Sequence, residues 1–297
     1  MATLRGAFEA RGRRARTVGA ERTEELLEDL FRGLERRPLD PHLQKRYIEP
    51  FRERAGVFPQ ARSLVVVASP EPPTPVRFRH RGRRIETLLP PQYAHQKDLE
   101  EATRILREHL PPGERFEAVR LPLKLLAARS GLGRYGRNRV LFVPGMGSCC
   151  HLAAFALSLP PEEETWGPAE PLPRCSSCGL CVARCPSGAL GKGWHDFDSS
   201  RCLTRHNEET DPLPGWMDPG WHHSLLGCTR CQELCPANRG IWDHPLSPVD
   251  FDEEETEGIL RASGFEALPG PVRERLADLG LAEDFAPAAR NLRLLLG

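Results

Sequence analysis

The chain has 297 residues, 39% hydrophobic and 28% charged, with Lys+Arg and Asp+Glu both at 41. This is globular rather than disordered composition, long enough for two cores, and a zero formal net charge sets up no overall field toward polyanions. No apolar run approaches the roughly 20 residues of a membrane helix, and the polar, acidic Glu21–Glu25 after Arg13-Arg14 provides no apolar signal region, so the sequence reads as cytoplasmic with no membrane partner.

Residues 23–36 (TEELLEDLFRGLER) carry helical periodicity behind Thr23 as N-cap, with acids early and bases late as the helix dipole favours. Pro38, Pro41 and Pro50 punctuate a loop-rich stretch, and 63–69 (SLVVVAS) predicts a buried strand. After the proline-rich EPPTPV comes a basic run, Arg77–Arg84 (RFRHRGRR), an exposed hairpin or loop. The patterning then predicts helix over 96–110, strand over 115–121, helix over 123–130 and strand over 139–143. That alternation points to an α/β first domain, residues 1–160. PPEEETWGPAEPLP, from Pro160, reads as a linker. Residues 161–245 form a second domain dense in Cys and Pro, too poor in periodicity to build a large apolar core. Residues 246–297 form a helical extension, and the fold class is α+β overall.

Ten cysteines in a chain of this kind call for a reason other than disulfides. Cys175, Cys178, Cys181, Cys185 and Pro186 give C-x2-C-x2-C-x3-C-P, the bacterial ferredoxin run whose fourth Cys serves the other cluster. Thiolates at every third residue of a tight loop wrap three irons of one cubane. The second run is Cys228-x2-Cys231-x3-Cys235-Pro236, with Leu225 where a further Cys would fall. Cys202 is the remaining cysteine of the module. Two complete sets follow: Cys175, Cys178, Cys181 and Cys235 on one 4Fe–4S cluster, and Cys185, Cys202, Cys228 and Cys231 on the other. Zinc sites also use C-x2-C, but bring two ligands from each loop, whereas here three crowd one loop.

Cys149-Cys150 fall outside both sets. They read as small buried hydrophobes at the start of a helix or as thiols near a cofactor. Gly131-Leu132-Gly133-Arg134-Tyr135-Gly136 matches G-x-G-x-x-G, but a helix precedes it and a strand follows, the reverse of a dinucleotide site. With Arg137 and Asn138 the loop remains able to approach an anionic or flat cofactor. His206, His222 and His223 read as packing residues rather than ligands, and Trp194, Trp216 and Trp221 as shields of the clusters from water.

Together with FPQARSLVVVAS, LKLLAARSGLGRYGRN, Gly147-Ser148, Arg201-Cys202 and the C-terminal Asn291-Leu292-Arg293, the cysteine runs resemble the epoxyqueuosine reductase family. Its members are cobalamin-dependent enzymes with two 4Fe–4S clusters, related to reductive dehalogenases. The resemblance implies an α/β cobalamin-binding first domain and reduction of an epoxide on a tRNA wobble nucleoside. It implies an Asp proton donor in a Tyr-Ala-x-x-x-Asp-Tyr-His context. Tyr93, Ala94 and Asp98 match that context, and the following Tyr-His is absent. Asp98 is thus the expected catalytic acid, with Tyr93, Gly133, Arg134, Gly136, Asn138 and Ser148 at the cofactor. Cys149-Cys150 stand where the family carries aromatic residues. A flavodoxin or ferredoxin would donate electrons, and Arg77–Arg84 is the feature that favours RNA. The other reading is a ferredoxin-like electron-transfer protein without cobalamin.

Overall fold

The structure is a computed structural model describing residues 3–36, 38–53, 57–91, 95–194, 196–243 and 245–297. In chain order it runs α1 (Leu4–Glu9), β1 (Arg14–Gly19), α2 (Arg22–Arg36), α3 (Pro41–Leu43), α4 (Glu49–Glu53), β2 (Ser63–Pro70), β3 (Thr74–His80), β4 (Arg83–Leu89) and α5 (His95–His109). It continues with β5 (Phe116–Ala118), α6 (Leu123–Arg129), β6 (Arg134–Tyr135), β7 (Leu141–Phe142), β8 (Cys150–Leu157), α7 (Leu180–Arg184) and α8 (Leu203–Asn207). Last come β9 (Val249–Phe251), α9 (Glu253–Arg261), α10 (Gly270–Asp278) and α11 (Phe285–Leu296). Two compact units result: Met1–Pro70 with Lys97–Cys178, and Glu71–Gln96 with Gly179–Gly297. Residues 71–96 therefore group with the C-terminal half rather than with the domain read as 1–160.

In the first unit a sheet of order β1-β2-β8-β5 has every neighbouring pair antiparallel. The fold is mixed α+β, as the composition of elements indicated, and the sheet of the first unit, expected as an α/β domain from alternating elements, is antiparallel throughout. Two unpredicted strands cause the difference. β1 is arginine-rich, and β8 reads CHLAAFAL, whose alanines favour helix intrinsically. Burial against the Val-rich β2 overrides that preference. Because successive strand residues face opposite sides, Leu64, Val66 and Ala68 join a core with α2 and α6, while Val65 and Val67 join another with α1 and α5. Each such Val or Leu contributes on the order of 1.5–3 kcal/mol when fully buried.

The stretch after Pro160 is not a free linker. Trp166 donates its indole N–H to Glu25 at 2.8 Å and lies beneath the Arg129 guanidinium, which itself pairs with Glu25 and Asp29. Glu162 accepts the Leu4 N–H.

In the second unit, β3 pairs antiparallel with β4 and parallel with β9. Phe78 stacks on Phe251 with centroids 5.2 Å apart. Around them β3, β4, β9 and helices α9–α11 form an apolar cluster to which the cysteine-bearing stretch contributes only Leu225 and Leu226 among the described residues. That stretch is loop and short helix, as its composition indicated.

Candidate metal centre

Short turns present the cysteines. Cys202 precedes α8 as its N-cap without a side-chain capping hydrogen bond, its carbonyl accepts the Arg205 N–H at 3.1 Å, and the nearby Thr204 and Arg205 groups oppose the rise that burial gives its thiol. Cys228 accepts from the Arg230 N–H, and Cys185 lies 3.6 Å from the Ser187 hydroxyl. Hydrogen bonds to sulfur are one lever on cluster potential. The prolines at 186 and 236 stop each run in a turn. Gly188 N–H returns to the Cys185 carbonyl, and Asn238 N–H to that of Cys235 at 2.8 Å.

Cys185, Cys202, Cys228 and Cys231, the expected second set, lie within electrostatic reach of one another, and Cys181, expected in the first set, lies within reach of Cys231 as well. Burial pushes the Cys228 thiol up to about 12, with Cys202 and Cys185 adding to the rise. Burial likewise raises Cys231 well above its ordinary range, and Cys202 as well. Such thiols are held un-ionised until a metal takes the proton's place. Among the described residues no three His, Cys, Asp or Glu side chains converge on a single ion position. A cubane spreads its thiolates over four irons instead. Cys175 and Cys178 lie in the first unit, Cys181 and Cys235 in the second, and their grouping rests on sequence spacing.

The histidines brace these turns. His223 Nδ1 lies 3.0 Å from the Trp221 carbonyl, so it donates there and Nε2 accepts the Thr229 N–H at 3.2 Å, fixing the turn between Cys228 and Cys231. His206 Nε2 meets the Ser200 carbonyl at 2.8 Å. Burial, with Arg290 nearby, lowers His222 to about 4. Trp216 is 39% exposed, under the Arg201 guanidinium and edge-on to His206, so it caps a surface rather than a sealed core.

In the first unit the glycine loop is occupied by the fold itself. A Cβ on Gly133 would stand 2.7 Å from the Phe142 carbonyl, and one on Gly136 would strike the Phe142 ring. Arg134 pairs with Glu170 at 2.9 Å, and Asn138 accepts the Val140 N–H. Arg137 donates to the Cys175 carbonyl at 2.7 Å. The missing side chains let the loop pack on β7, and its arginines grip the segment entering the first cysteine run.

Cys149-Cys150 open a strand and not a helix. With no helix dipole to favour a thiolate, burial pushes both thiols up to about 12. Cys150 and His151 pair with Pro70 and Ser69, so the fully buried Ser148 lies at the sheet end where β2 finishes. Asp98 belongs to that end. Arg13, just before β1, donates to the Ser69 hydroxyl at 3.1 Å and pairs with Asp98 Oδ1 at 3.3 Å. The other carboxylate oxygen of Asp98 is buried without a hydrogen-bond partner among the described residues. Tyr93 and Ala94 lie outside the described residues. Sequence reading missed Arg13, whose role depends on a strand pairing that local pattern does not carry.

Residues 174–238 match the family of the 4Fe-4S double cluster binding domain, so the cysteine-bearing stretch is similar to iron–sulfur modules of that class. Over a longer stretch the chain is similar to the epoxyqueuosine reductases of Listeria monocytogenes (31% identical over 212 residues, 65% of this chain and 53% of that protein) and of Bacillus subtilis (25% over 233 residues, 75% and 58%). The resemblance read from the sequence is borne out. The chain spans about half the length of the curated relatives it matches. Two solved structures share its fold. A selenomethionine-labelled epoxyqueuosine reductase has a TM-score of 0.65 at 20% identity, covering 99% of this chain and 80% of that one. The enzyme of Streptococcus thermophilus has a TM-score of 0.64 at 18% identity, with 95% and 76% covered.

Proposed function

We propose that this protein is an iron–sulfur reductase that passes electrons through two 4Fe–4S clusters to a cobalamin, which reduces an electrophilic substrate, a tRNA epoxide. The observation that supports the reading is the gathering of Cys181, Cys185, Cys202, Cys228 and Cys231 within one unit, inside the double-cluster match. The donor set fits iron, with eight cysteines in two sets of four. A flavodoxin or ferredoxin is the electron source.

For the corrinoid, the supporting observation is the buried Asp98 oxygen, without a hydrogen-bond partner among the described residues, at a sheet end shared with Ser69, Ser148 and Cys150. Residues of that end would hold it; Tyr93, also expected at the cofactor, lies outside the described residues. Gly133, Gly136 and Arg134 already serve packing and the Glu170 ion pair, so they would act only indirectly. Cobalamin, when bound, supplies low-valent cobalt as the reductant. Asp98 would take up a proton on the oxygen that Arg13 does not pair with and pass it on to the reduced substrate, while Arg13 holds the carboxyl in place through the other oxygen. A tRNA substrate is supported by an epoxyqueuosine reductase solved with an epoxyqueuosine-modified tRNA stem loop.

Anaerobic reconstitution with iron, sulfide and cobalamin tests the reading. About eight irons per chain are expected, with corrinoid absorbance retained after gel filtration. Cys202→Ala should remove one cluster's signal and leave the other. Full iron with no corrinoid retained would return the protein to an electron carrier without cobalamin.

A further inference from the structure

The β3–β4 hairpin carries a charge pattern that the fold itself does not use. Val76 and Phe78 point into the core, so Arg77 and Arg79 occupy the outer face of the ribbon. Across the ladder Arg77 faces Glu86 and the two pair at 2.6 Å. One step toward the tip, however, Arg79 stands directly opposite Arg84. Like charges placed so are destabilising, and the nearest acid, Glu86, is 3.9 Å from Arg84 and already engaged by Arg77. Arg81 and Gly82 make the turn with φ of 49° and 71°. The first turn position ordinarily goes to Asn, Asp or Gly, and here an arginine is held in the left-handed region. Among the described residues Arg79, Arg81 and Arg83 have no acidic partner, and all three are exposed.

The ribbon is also held rigid. Phe78 stacks on Phe251, β9 extends the sheet alongside β3, and His80 meets Glu257 of α9 at 3.0 Å. A fixed tip bearing four arginines in six residues, in a chain of zero net charge, is an anion-recognition surface. Guanidinium forks match phosphate oxygens bidentately, and several on a narrow ribbon suit successive phosphates of one strand better than a single carboxylate. Such contacts fix register and carry no sequence information.

We infer that the tip of this hairpin docks the phosphate backbone of an RNA, with Arg79, Arg81 and Arg84 making the contacts. This rests on the RNA-directed reading of function and gives it a place on the chain. The test uses the full-length, cluster-loaded protein and a fluorescein-labelled, unmodified tRNA anticodon stem-loop, with anisotropy measured across a series of KCl concentrations. The variant is R79Q/R81G/R84Q. Gly accepts the turn geometry and Gln removes the like-charge pair, so iron content and circular dichroism should match wild type. Binding should weaken at least about tenfold, and the slope of log K against log salt should fall by about 2, since each phosphate contact contributes roughly 0.7–0.9. E86Q, which removes an acid 3.9 Å from Arg84, should tighten binding about two- to fivefold. Unchanged affinity and slope in the triple variant would overturn the hairpin assignment alone. Failure of wild type to bind RNA at any salt would overturn the RNA reading of function with it. RNA binding as in wild type, combined with slowed reduction by an acidic flavodoxin, would reassign the hairpin to a protein partner.

Discussion

Arg137 donates to the Cys175 carbonyl at 2.7 Å, with the Ser176 carbonyl at 3.4 Å from the same nitrogen. One guanidinium thus fixes the turn that presents the first ligand of the first run. A hydrogen bond from a charged donor contributes about 1.5–3 kcal/mol. Arg137→Met should therefore leave the first unit folded while loosening that turn. The expected result is severalfold faster bleaching of cluster absorbance in air, followed by stopped-flow spectroscopy.

Asn291 performs the equivalent service for the second set. Fully buried on α11, its amide donates to the Asn207 carbonyl at 2.8 Å and the Leu225 carbonyl at 2.6 Å, a few residues from Cys202 and Cys228. Arg290 beside it donates to the carbonyls of His206 and Asp211. Asn291→Leu leaves two buried acceptors without that donor, at about 1–3 kcal/mol each. Urea denaturation followed by tryptophan fluorescence should show a loss of about 2–4 kcal/mol. Four of the five tryptophans lie in the second unit, so the signal reports that unit.

Much of this was legible in the sequence because it is local. The cysteine spacings, the α2 periodicity and the Val-rich β2 each carry their own physical signal within a short window. The basic run became the β3–β4 hairpin for the same reason. What was not legible depends on partners far along the chain. β8 is a strand because β2 and β5 flank it, not because CHLAAFAL favours one. The glycine loop matched a nucleotide pattern while serving Phe142, Glu170 and Cys175, contacts no spacing rule encodes. Arg13 gained its role only once β1 stood beside β2.

The paired thiols at the start of β8 have a pH signature. Burial holds Cys149 and Cys150 up to about 12, against about 8.5 for a free cysteine. At pH 8 the folded thiolate fraction is about one in ten thousand, some thousandfold below an exposed thiol. Iodoacetamide should leave both unlabelled in the native protein at pH 8 and label them fully in urea, read by peptide mass spectrometry. The sign for stability follows. An acid whose folded value is raised stabilises the fold below its unfolded value, and that contribution is lost as pH climbs from about 9 toward 12. Rapid native labelling at pH 8 would mean that this end of the sheet opens.

Asp98 and Arg13 offer the sharpest separation of enzyme from electron carrier. Their side chains are only 14% and 15% exposed, and one carboxylate oxygen pairs with the guanidinium at 3.3 Å while the other is buried and unpartnered among the described residues. A purely structural carboxylate would be expected to use both oxygens. A reacting one keeps one free for substrate. Asp98→Asn preserves shape, and Arg13 retains the Ser69 hydroxyl and the Arg11 carbonyl as acceptors, with Glu101 at 3.9 Å. The loss of stability should therefore be modest. Loss of a positioned acid costs typically 10²–10⁴-fold in rate, so single-turnover reduction should fall by about that range while iron content and corrinoid absorbance stay near wild type. Arg13→Gln should behave differently, because it strands a buried carboxylate, a change that costs on the order of 3–5 kcal/mol. Its melting temperature should drop well below that of Asp98→Asn, and Arg13→Lys should recover part of both stability and rate. Wild-type turnover in Asp98→Asn would remove Asp98 from the chemistry and leave its pair with Arg13 as a structural staple.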